Sequence, residues 1–453
     1  MTGEGLTAPS ADSTDSLPEV SDIPGIVNTA GEEEREAFSR RFNAVEGLVV
    51  MTFILILLWP AAYHFGVLRG YDIVNVVTNV FLVLGGAYLL FVAPVLHRDT
   101  PESWGLGNPR TLWRLLRTGT LMRRGGLFLV LLAVFLGLNY ANYVNWHHVL
   151  DFFGVQGSVL QSFTNDYPGR LLVFLFGSAG AAVILLFAIR YDNFLTAFRT
   201  ALVIAAPLLC LVLLAAWVQR GGAAFARLRF VPWVLDVFGY VFWGFVQQLL
   251  FSAYFGTRFR KAFAPGAPPA APRSRRRVVF KSLLVGANAG LGAYILSLIG
   301  LSSAYSTASV PAAIPMGIGL VMFFFGIVYG YYLCRDAKRL LVATLTGACF
   351  GLIHIDSYFL VAVTFGLGIP LSYVFMEDRK RNLVALGFVH GLLGSTFGKL
   401  FSKGDSGLLE VDYSVGPWNI EHPTYATLVI PLLCIGVLLV FIVWCARNID
   451  EGD

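Results

Sequence analysis

The chain has 453 residues, 56% of them hydrophobic and only 13% charged, whereas soluble domains carry about 25% charged residues, so a water-facing globular surface of this size is excluded. The net charge of +5 is read as asymmetry between loops rather than as affinity for nucleic acid. The five cysteines (Cys210, Cys334, Cys349, Cys434 and Cys445) lie in or beside apolar runs and form no CxxC pair, which speaks for small buried hydrophobes and against a disulfide frame or zinc site.

Residues 1–44 are rich in Ser, Asp, Glu, Pro and Gly, with an acidic cluster at Glu32, Glu33, Glu34 and Glu36, and read as a disordered tail. No signal peptide is evident, so the first membrane helix is expected to direct insertion. Apolar runs then recur near 45–66, 74–96, 126–144, 170–190, 198–218, 230–255, 278–300, 311–333, 340–355, 357–376, 382–402 and 424–446. A helix of about 20 residues spans the ~30 Å hydrocarbon core. Lipid offers no partner to backbone N–H and C=O groups, so the runs must be helical. Their continuity excludes a β-barrel, whose strands alternate in shorter segments. The expected fold is an all-α, polytopic transmembrane bundle of about twelve spans.

Lys and Arg collect on the cytoplasmic side of membrane proteins. Here they gather after span two (Arg98, Arg110, Arg114, Arg117, Arg123, Arg124), after span six (Arg258, Arg260, Lys261, Arg273, Arg275, Arg276, Arg277), and in the turns Arg335–Lys338–Arg339 and Arg379–Lys380–Arg381. Twelve spans with both termini cytoplasmic put these loops on one face. The loop with Arg220, Arg227 and Arg229 dissents. Leu112, Trp113, Leu115 and Leu116 interleave with arginines, so 101–124 reads as a surface amphipathic helix. The stretch 262–274 is a Pro/Ala linker.

Polar groups inside spans are costly and mark function by default. Gln247 and Gln248 are adjacent amides in span six. Neighbours on a helix point about 100° apart, so one can face a cavity while the other contacts a helix. The competing reading is interhelical hydrogen bonding. His354 follows Phe350 by four residues and shares its helix face, as His390 does with Gly394. Gly391, Gly394 and Gly398 would let a backbone or a substrate approach. At ~1.5 Å per residue, Gln248 and His390 lie about 12 Å from the cytoplasmic boundary and His354 about 20 Å. A straight ninth span therefore leaves His354 deeper than its companions. Asp236 and Asn288 read as structural contacts, and His147 and His148 as ordinary boundary residues.

Three segments carry a resemblance. QQLLFSAYFGTRFRK, FGLIH and HGLLG resemble the EExxxR, FxxxH and HxxxN/D motifs of the CPBP family, the CAAX-protease and bacteriocin-processing intramembrane proteases. The likeness covers roughly 230–402. It implies an intramembrane endopeptidase acting on membrane-anchored or lipidated proteins, with Gln247, Gln248, His354 and His390 at catalytic positions and Phe350, Ser252 and Gly394 beside the substrate. The departures are specific. Gln247 and Gln248 stand where the family has glutamates, Ser252 where it has arginine, and Gly394 where it has Asn or Asp. A neutral amide cannot act as a base near pH 7, but it can orient water or donate to an oxyanion.

The implied division is a tail over 1–44, an N-terminal bundle over 45–229 with little chemistry, a CPBP-like core over 230–402 with a two-helix insertion at 278–333, and an outer loop with the last helix over 403–453. The implied setting is a multi-pass protein of the cell (inner) membrane. Its expected partners are the lipid bilayer and a membrane-anchored protein or peptide, and no nucleic acid. No cofactor is implied, and two histidines without an acidic ligand beside them make a poor zinc site. Alternatives from the same residues are a non-cleaving binding or scaffold pseudoprotease and, from the number of spans alone, a secondary transporter.

Overall fold

The computed structural model describes residues 30–118, 120–144, 146, 167–225, 228–264, 274–304, 313–355, 358–402, 409–410 and 424–449. Residues 1–29, His147, His148 and most of the Pro/Ala linker lie outside the described residues. In chain order the helices are α1 (Arg40–Leu68), α2 (Asp72–Leu96), α3 (Pro109–Thr118), α4 (Arg124–Val144), α5 (Pro168–Ala188), α6 (Phe194–Trp217) and α7 (Phe230–Phe263). They continue as α8 (Arg275–Leu298), α9 (Pro315–Arg335), α10 (Ala337–Leu352), α11 (Tyr358–Phe375), α12 (Leu383–Leu400) and α13 (Thr427–Asn448). Phe401–Ser402 and Leu409–Glu410 add a two-residue parallel pairing.

Each of the twelve apolar runs is helical, and ten of the helices are long and apolar enough to cross a membrane. The exceptions are α10 and α11. The 16 residues of α10 reach about 24 Å as a helix, short of the ~30 Å core. Both pack on α7 and on each other, so protein rather than lipid satisfies their surface. A helix enclosed in this way need not match the bilayer thickness. The helix leading into α1 begins at Ala30, well ahead of residue 45. Its Glu, Arg and Ala residues are good helix formers, and Arg40 Nε donates to Ala262 O at 3.2 Å, tying this segment to the end of α7.

The largest core cluster joins α1, the second half of α7, α10, α11 and α12. α12 crosses α7 at glycines. A Cβ at Gly244 would lie 2.6 Å from Gly387 O and 2.7 Å from His390 Cβ, and one at Gly391 would lie 2.7 Å from Val241 N. At these positions the two backbones touch. α8 and α9 pair through Gly286, Gly290, Gly319, Gly326 and Gly330. That pair meets the core where Tyr329 Oη lies 3.0 Å from Thr344 Oγ1 and where the tilted Tyr332 and Tyr373 rings lie 4.7 Å apart.

The N-terminal helices hold more chemistry than their sequence suggested. Glu46, buried in α1, accepts from Tyr88 Oη at 2.8 Å and from Tyr254 Oη at 2.9 Å, and its second oxygen pairs with His97 Nε2. Arg258, fully buried in α7, pairs with Asp99 and donates to Asn43 Oδ1 at 2.9 Å. Lys261 completes the group, with Nζ 2.6 Å from Asp99 Oδ1. Asp236 is also partnered, with Oδ2 2.6 Å from Lys399 Nζ. Asn288 returns its amide to its own helix at Leu284 O, 2.8 Å away.

A clamp of loops sets the start of α12. Arg190 bridges Asp192 and Asp378, with Nη1 3.0 Å from Asp378 Oδ1. Asn193 Nδ2 donates to Asp378 O and Arg381 O, both at 3.0 Å, and Asn382 Nδ2 donates to Arg190 O at 2.7 Å. Gly105 has φ +72° and sits where a Cβ would meet Phe375 and Arg381, so glycine is required there.

Two predictions follow from these contacts. Replacing Arg258 by Leu leaves the buried Asp99 with Lys261 as its remaining cation and takes one donor from Asn43, and should cost about 3 kcal/mol, the lower end of the range for breaking one side of a buried pair. Thermal unfolding in detergent measures it, and a Tm close to wild type contradicts the assignment. The second concerns pH. The hydrogen bond from Arg190 holds the Asp378 carboxyl below the usual carboxylate range. A depressed folded pKa gives stability that is present above the unfolded value of about 4 and is lost as pH falls below it. Arg190→Gln should therefore flatten the acid-side decline of Tm between about pH 5 and pH 3.

Candidate functional site

α7 is not a uniform helix. Its α-helical turns run to Gln248, a π-helical segment covers Leu249–Phe255, and α-helix resumes at Gly256. Such wide turns cost backbone geometry and gather at functional sites. Gln248 lies at the junction and is 1% exposed. Ser252 Oγ donates to Gln248 Oε1 at 2.6 Å and lies 3.5 Å from Ser372 Oγ of α11. This turns the amide so that Nε2 points away from Ser252, and Nε2 has no hydrogen-bond partner among the described residues. Gln247 Oε1 is likewise buried without a described partner. Neither glutamine makes a described hydrogen bond to a neighbouring helix, as the interhelical reading required.

α10 ends at Leu352, and His354 lies in the turn that follows. His354 Nδ1 is 3.0 Å from Phe350 O. A carbonyl only accepts, so Nδ1 carries the proton and Nε2 holds the basic lone pair. Phe350 is fully buried and joins three elements. Its ring centroid lies 4.7 Å from Phe251 on α7, 5.5 Å from the His354 ring and 6.1 Å from the His390 ring. Gly368 gives it room, since a Cβ there would lie 3.3 Å from the Phe350 ring. His390 on α12 stands over Gly244, and its Nδ1 is buried with no described partner.

The depth difference expected from counting residues does not keep the histidines apart, since both rings lie against Phe350. Side-chain direction narrows the remaining gap between α7 and α12. Helical side chains tilt toward their own N-terminus. The two helices are antiparallel, so Gln247 and Gln248 lean back toward the level of Gly244 while His390 leans toward Gly387. His354 and His390 thus both lie against the Phe350 ring, and Gln248 stands three residues before Phe251, which packs on the same ring. Three buried polar atoms of the catalytic candidates, Gln247 Oε1, Gln248 Nε2 and His390 Nδ1, lack a protein partner. Gly394 lies one turn along from His390, where a Cβ would sit 3.4 Å from the Tyr240 ring. No group of three or more His, Cys, Asp or Glu side chains fit to hold a metal ion occurs among the described residues.

Residues 322–396 match the family model described as Type II CAAX prenyl endopeptidase Rce1-like. This segment carries an Rce1-like domain of the CPBP family. The matched domain contains His354, His390, Phe350, Ser372 and Gly394, and the Gln247–Ser252 segment lies outside it. No curated protein and no solved structure matches the chain.

Three residues at the candidate site escaped the sequence reading. Ser372 is one of many small polar residues in spans, and only its contact with Ser252 marks it. Phe251 lies within the first motif-like segment but shows no partner there. Gly244 was legible in principle as the glycine one turn before Gln248.

The unpartnered amide gives a test. An interhelical hydrogen-bonding role predicts that Gln248→Leu costs about 1 kcal/mol or more. A site built for a ligand predicts a Tm close to wild type, because removal of the buried unsatisfied Nε2 donor offsets loss of the hydrogen bond from Ser252 to Oε1. The second outcome is expected, and a clear fall in Tm would return Gln248 to a purely structural role.

Proposed function

We propose that this protein is an intramembrane endopeptidase of the CPBP type that cleaves membrane-anchored or lipidated proteins. The observation that carries the reading is the convergence of the two motif histidines on Phe350, beside buried polar atoms that have no protein partner. A buried polar group without a partner costs about 1–3 kcal/mol, so such a cluster is kept for a ligand or water that satisfies it.

The chemistry is assigned as follows. His354 Nε2 takes a proton from a water as the water oxygen attacks the scissile carbonyl carbon. The carbonyl oxygen becomes an oxyanion and is held by the Gln248 Nε2–H donor. Gln247 Oε1 accepts from the attacking water and orients it. The tetrahedral adduct collapses by breaking the C–N bond, and the proton on His354 passes to the departing amine. His390 lines the opposite wall and serves as a second donor to the oxyanion. Glutamine cannot take the base role, so the mechanism depends on histidine where the family motif offers glutamate. A positioned base contributes about 10²–10⁴ in rate, and one oxyanion donor about 10²–10³.

One observation favours a second reading. Both motif glutamates are replaced by amides, so the same groups can hold a peptide without hydrolysing it. The experiment separates the two. The full chain is reconstituted in liposomes with membrane-anchored and lipidated reporter peptides, and cleavage is followed by mass spectrometry. Cleavage by wild type and a loss of at least about 10²-fold in His354→Ala, with a comparable loss in His390→Ala, supports the endopeptidase. No cleavage, with reporter binding that His390→Ala weakens, supports the binding protein. Cleavage that survives both substitutions removes the proposed site altogether.

A further inference from the structure

The segment that leads into α3 is pinned where the long helices end. Gly105 O accepts from the N–H of Leu383, the first residue of α12, at 3.3 Å, and a Cβ on Gly105 would meet Phe375, the last residue of α11, and Arg381. Gly107 N–H donates to Phe187 O at 2.7 Å, one residue before the end of α5, and a Cβ on Gly107 would run into Ile189 O. Trp104 is 3% exposed and meets the Tyr254 ring of α7 edge-on, with centroids 6.2 Å apart. α3 therefore leaves the bundle at the level of these helix ends, beside the basic turn that holds Arg381.

α3 has three distinct sides. At about 100° per residue, Arg110, Arg114 and Arg117 fall within an arc of about 60°. Leu112, Leu115 and Leu116 occupy the opposite side, and Leu112 is buried against the bundle. Trp113 lies between the two and is 67% exposed. All three arginines are exposed, and none has an ion pair among the described residues. No Asp or Glu occurs from residue 103 to residue 150, and α4 and α5, the helices packed on α3, carry none. The carboxylates of the adjoining segments are engaged elsewhere. Glu102 accepts from Asn108 Nδ2 at 2.5 Å, Asp192 and Asp378 hold Arg190, and Asp99 holds Arg258 and Lys261. Just beyond α3, where the helix leading into α4 begins, Leu121 and Met122 are 86% and 90% exposed.

The fold thus leaves a stripe of three cations without a counter-charge and places bare apolar side chains next to it. Tryptophan concentrates at the level of lipid headgroups, and helices with arginines on one side and apolar groups on another lie in that layer. The surface that matches both features at the ends of membrane-spanning helices is a sheet of phosphates over hydrocarbon.

We propose that α3 is a docking surface for anionic phospholipid headgroups, with Arg110, Arg114 and Arg117 on the phosphates and Trp113 seated at the hydrocarbon boundary. Guanidinium donors make strong charge-assisted hydrogen bonds to phosphate oxygens. Because Trp104, Gly105 and Gly107 tie the preceding segment to α7, α12 and α5, the stripe keeps one orientation toward the bilayer. The surface is independent of whether the protein cleaves peptides.

The test uses the full chain in nanodiscs of phosphatidylcholine, with and without a fraction of phosphatidylglycerol. Backbone hydrogen–deuterium exchange of residues 109–122 is read by mass spectrometry. Phosphatidylglycerol should slow that exchange in wild type, each arginine contributing up to about fivefold, the worth of one basic residue at an anionic surface. Arg110→Gln/Arg114→Gln/Arg117→Gln should lose the slowing, and Arg110→Lys/Arg114→Lys/Arg117→Lys should keep most of it. Arg275→Gln/Arg276→Gln/Arg277→Gln, the same charge change on the exposed start of α8, should leave the response of 109–122 as in wild type. An undiminished response in the α3 glutamine variant overturns the proposal. So does an equal loss in the α8 variant, which means diffuse attraction. It is also overturned if polyglutamate or inorganic phosphate at matched ionic strength slows exchange as much in phosphatidylcholine alone.

Discussion

The arrangement of the candidate site rests on one contact, the backbone approach of α7 and α12. In a bilayer no hydrophobic drive brings helices together, since lipid tails are as apolar as leucine, and association depends on close van der Waals packing at small residues. Gly244, Gly387 and Gly391 supply those residues, and any Cβ added there would meet backbone or Cβ atoms of the facing helix at 2.6–2.9 Å. Because the helices touch at Gly244, His390 is held directly above it, with the glutamines one turn farther along α7. The loop clamp of Arg190, Asn193 and Asn382 adds the second coordinate, fixing where α12 begins and so the height of His390.

α7 carries two polar faces of opposite character. Gln248 and Ser252 lie one turn apart on a neutral face toward α11, closed by the Ser252 to Gln248 hydrogen bond. Tyr254, two residues beyond Ser252, points to the other side and meets Glu46, with Arg258 one turn farther on pairing with Asp99. The buried carboxylate at Glu46 is therefore separated from the histidines by the helix itself and cannot take the role of the missing glutamates. It anchors α1 to the core, with its oxygens satisfied by two phenols and an imidazole. The charged groups of this end of the bundle are consumed in fastening helices, while the groups at the site are neutral.

Much of this was legible in the residues alone. The helices followed from apolar runs of bilayer length, and the site residues from polar side chains in those runs together with motif-like spacing. Three things were not legible, each for a physical reason. That α10 and α11 are enclosed was hidden because hydropathy cannot tell a lipid-facing helix from one packed in protein. Glu46 went unnoticed because a single acid near the start of an apolar run resembles a boundary residue until Tyr88, His97 and Tyr254 are seen to close around it. The π-helical segment at Leu249–Phe255 has no local signature, since its wide turn is stabilised by packing against Phe350 rather than by propensity.

The neutrality of the site bears on its function as well as its stability. A glutamate and arginine at positions 248 and 252 would form a buried ion pair, with a desolvation penalty of several kcal/mol per ion to be offset by geometry. The amide and hydroxyl present here avoid that penalty and are joined by a 2.6 Å hydrogen bond. Were packing the sole constraint, the remaining polar atoms would also be expected to pair or to give way to apolar groups, because an unsatisfied buried donor is worse than a hydrocarbon of the same shape. They do neither. Gln248 Nε2, Gln247 Oε1 and His390 Nδ1 stay buried and unpartnered among the described residues. Local rules are broken in this way where a fold holds groups ready for something else to bind, and together these atoms offer a donor amide, an acceptor carbonyl and an imidazole, the set that a peptide bond and a water molecule would satisfy.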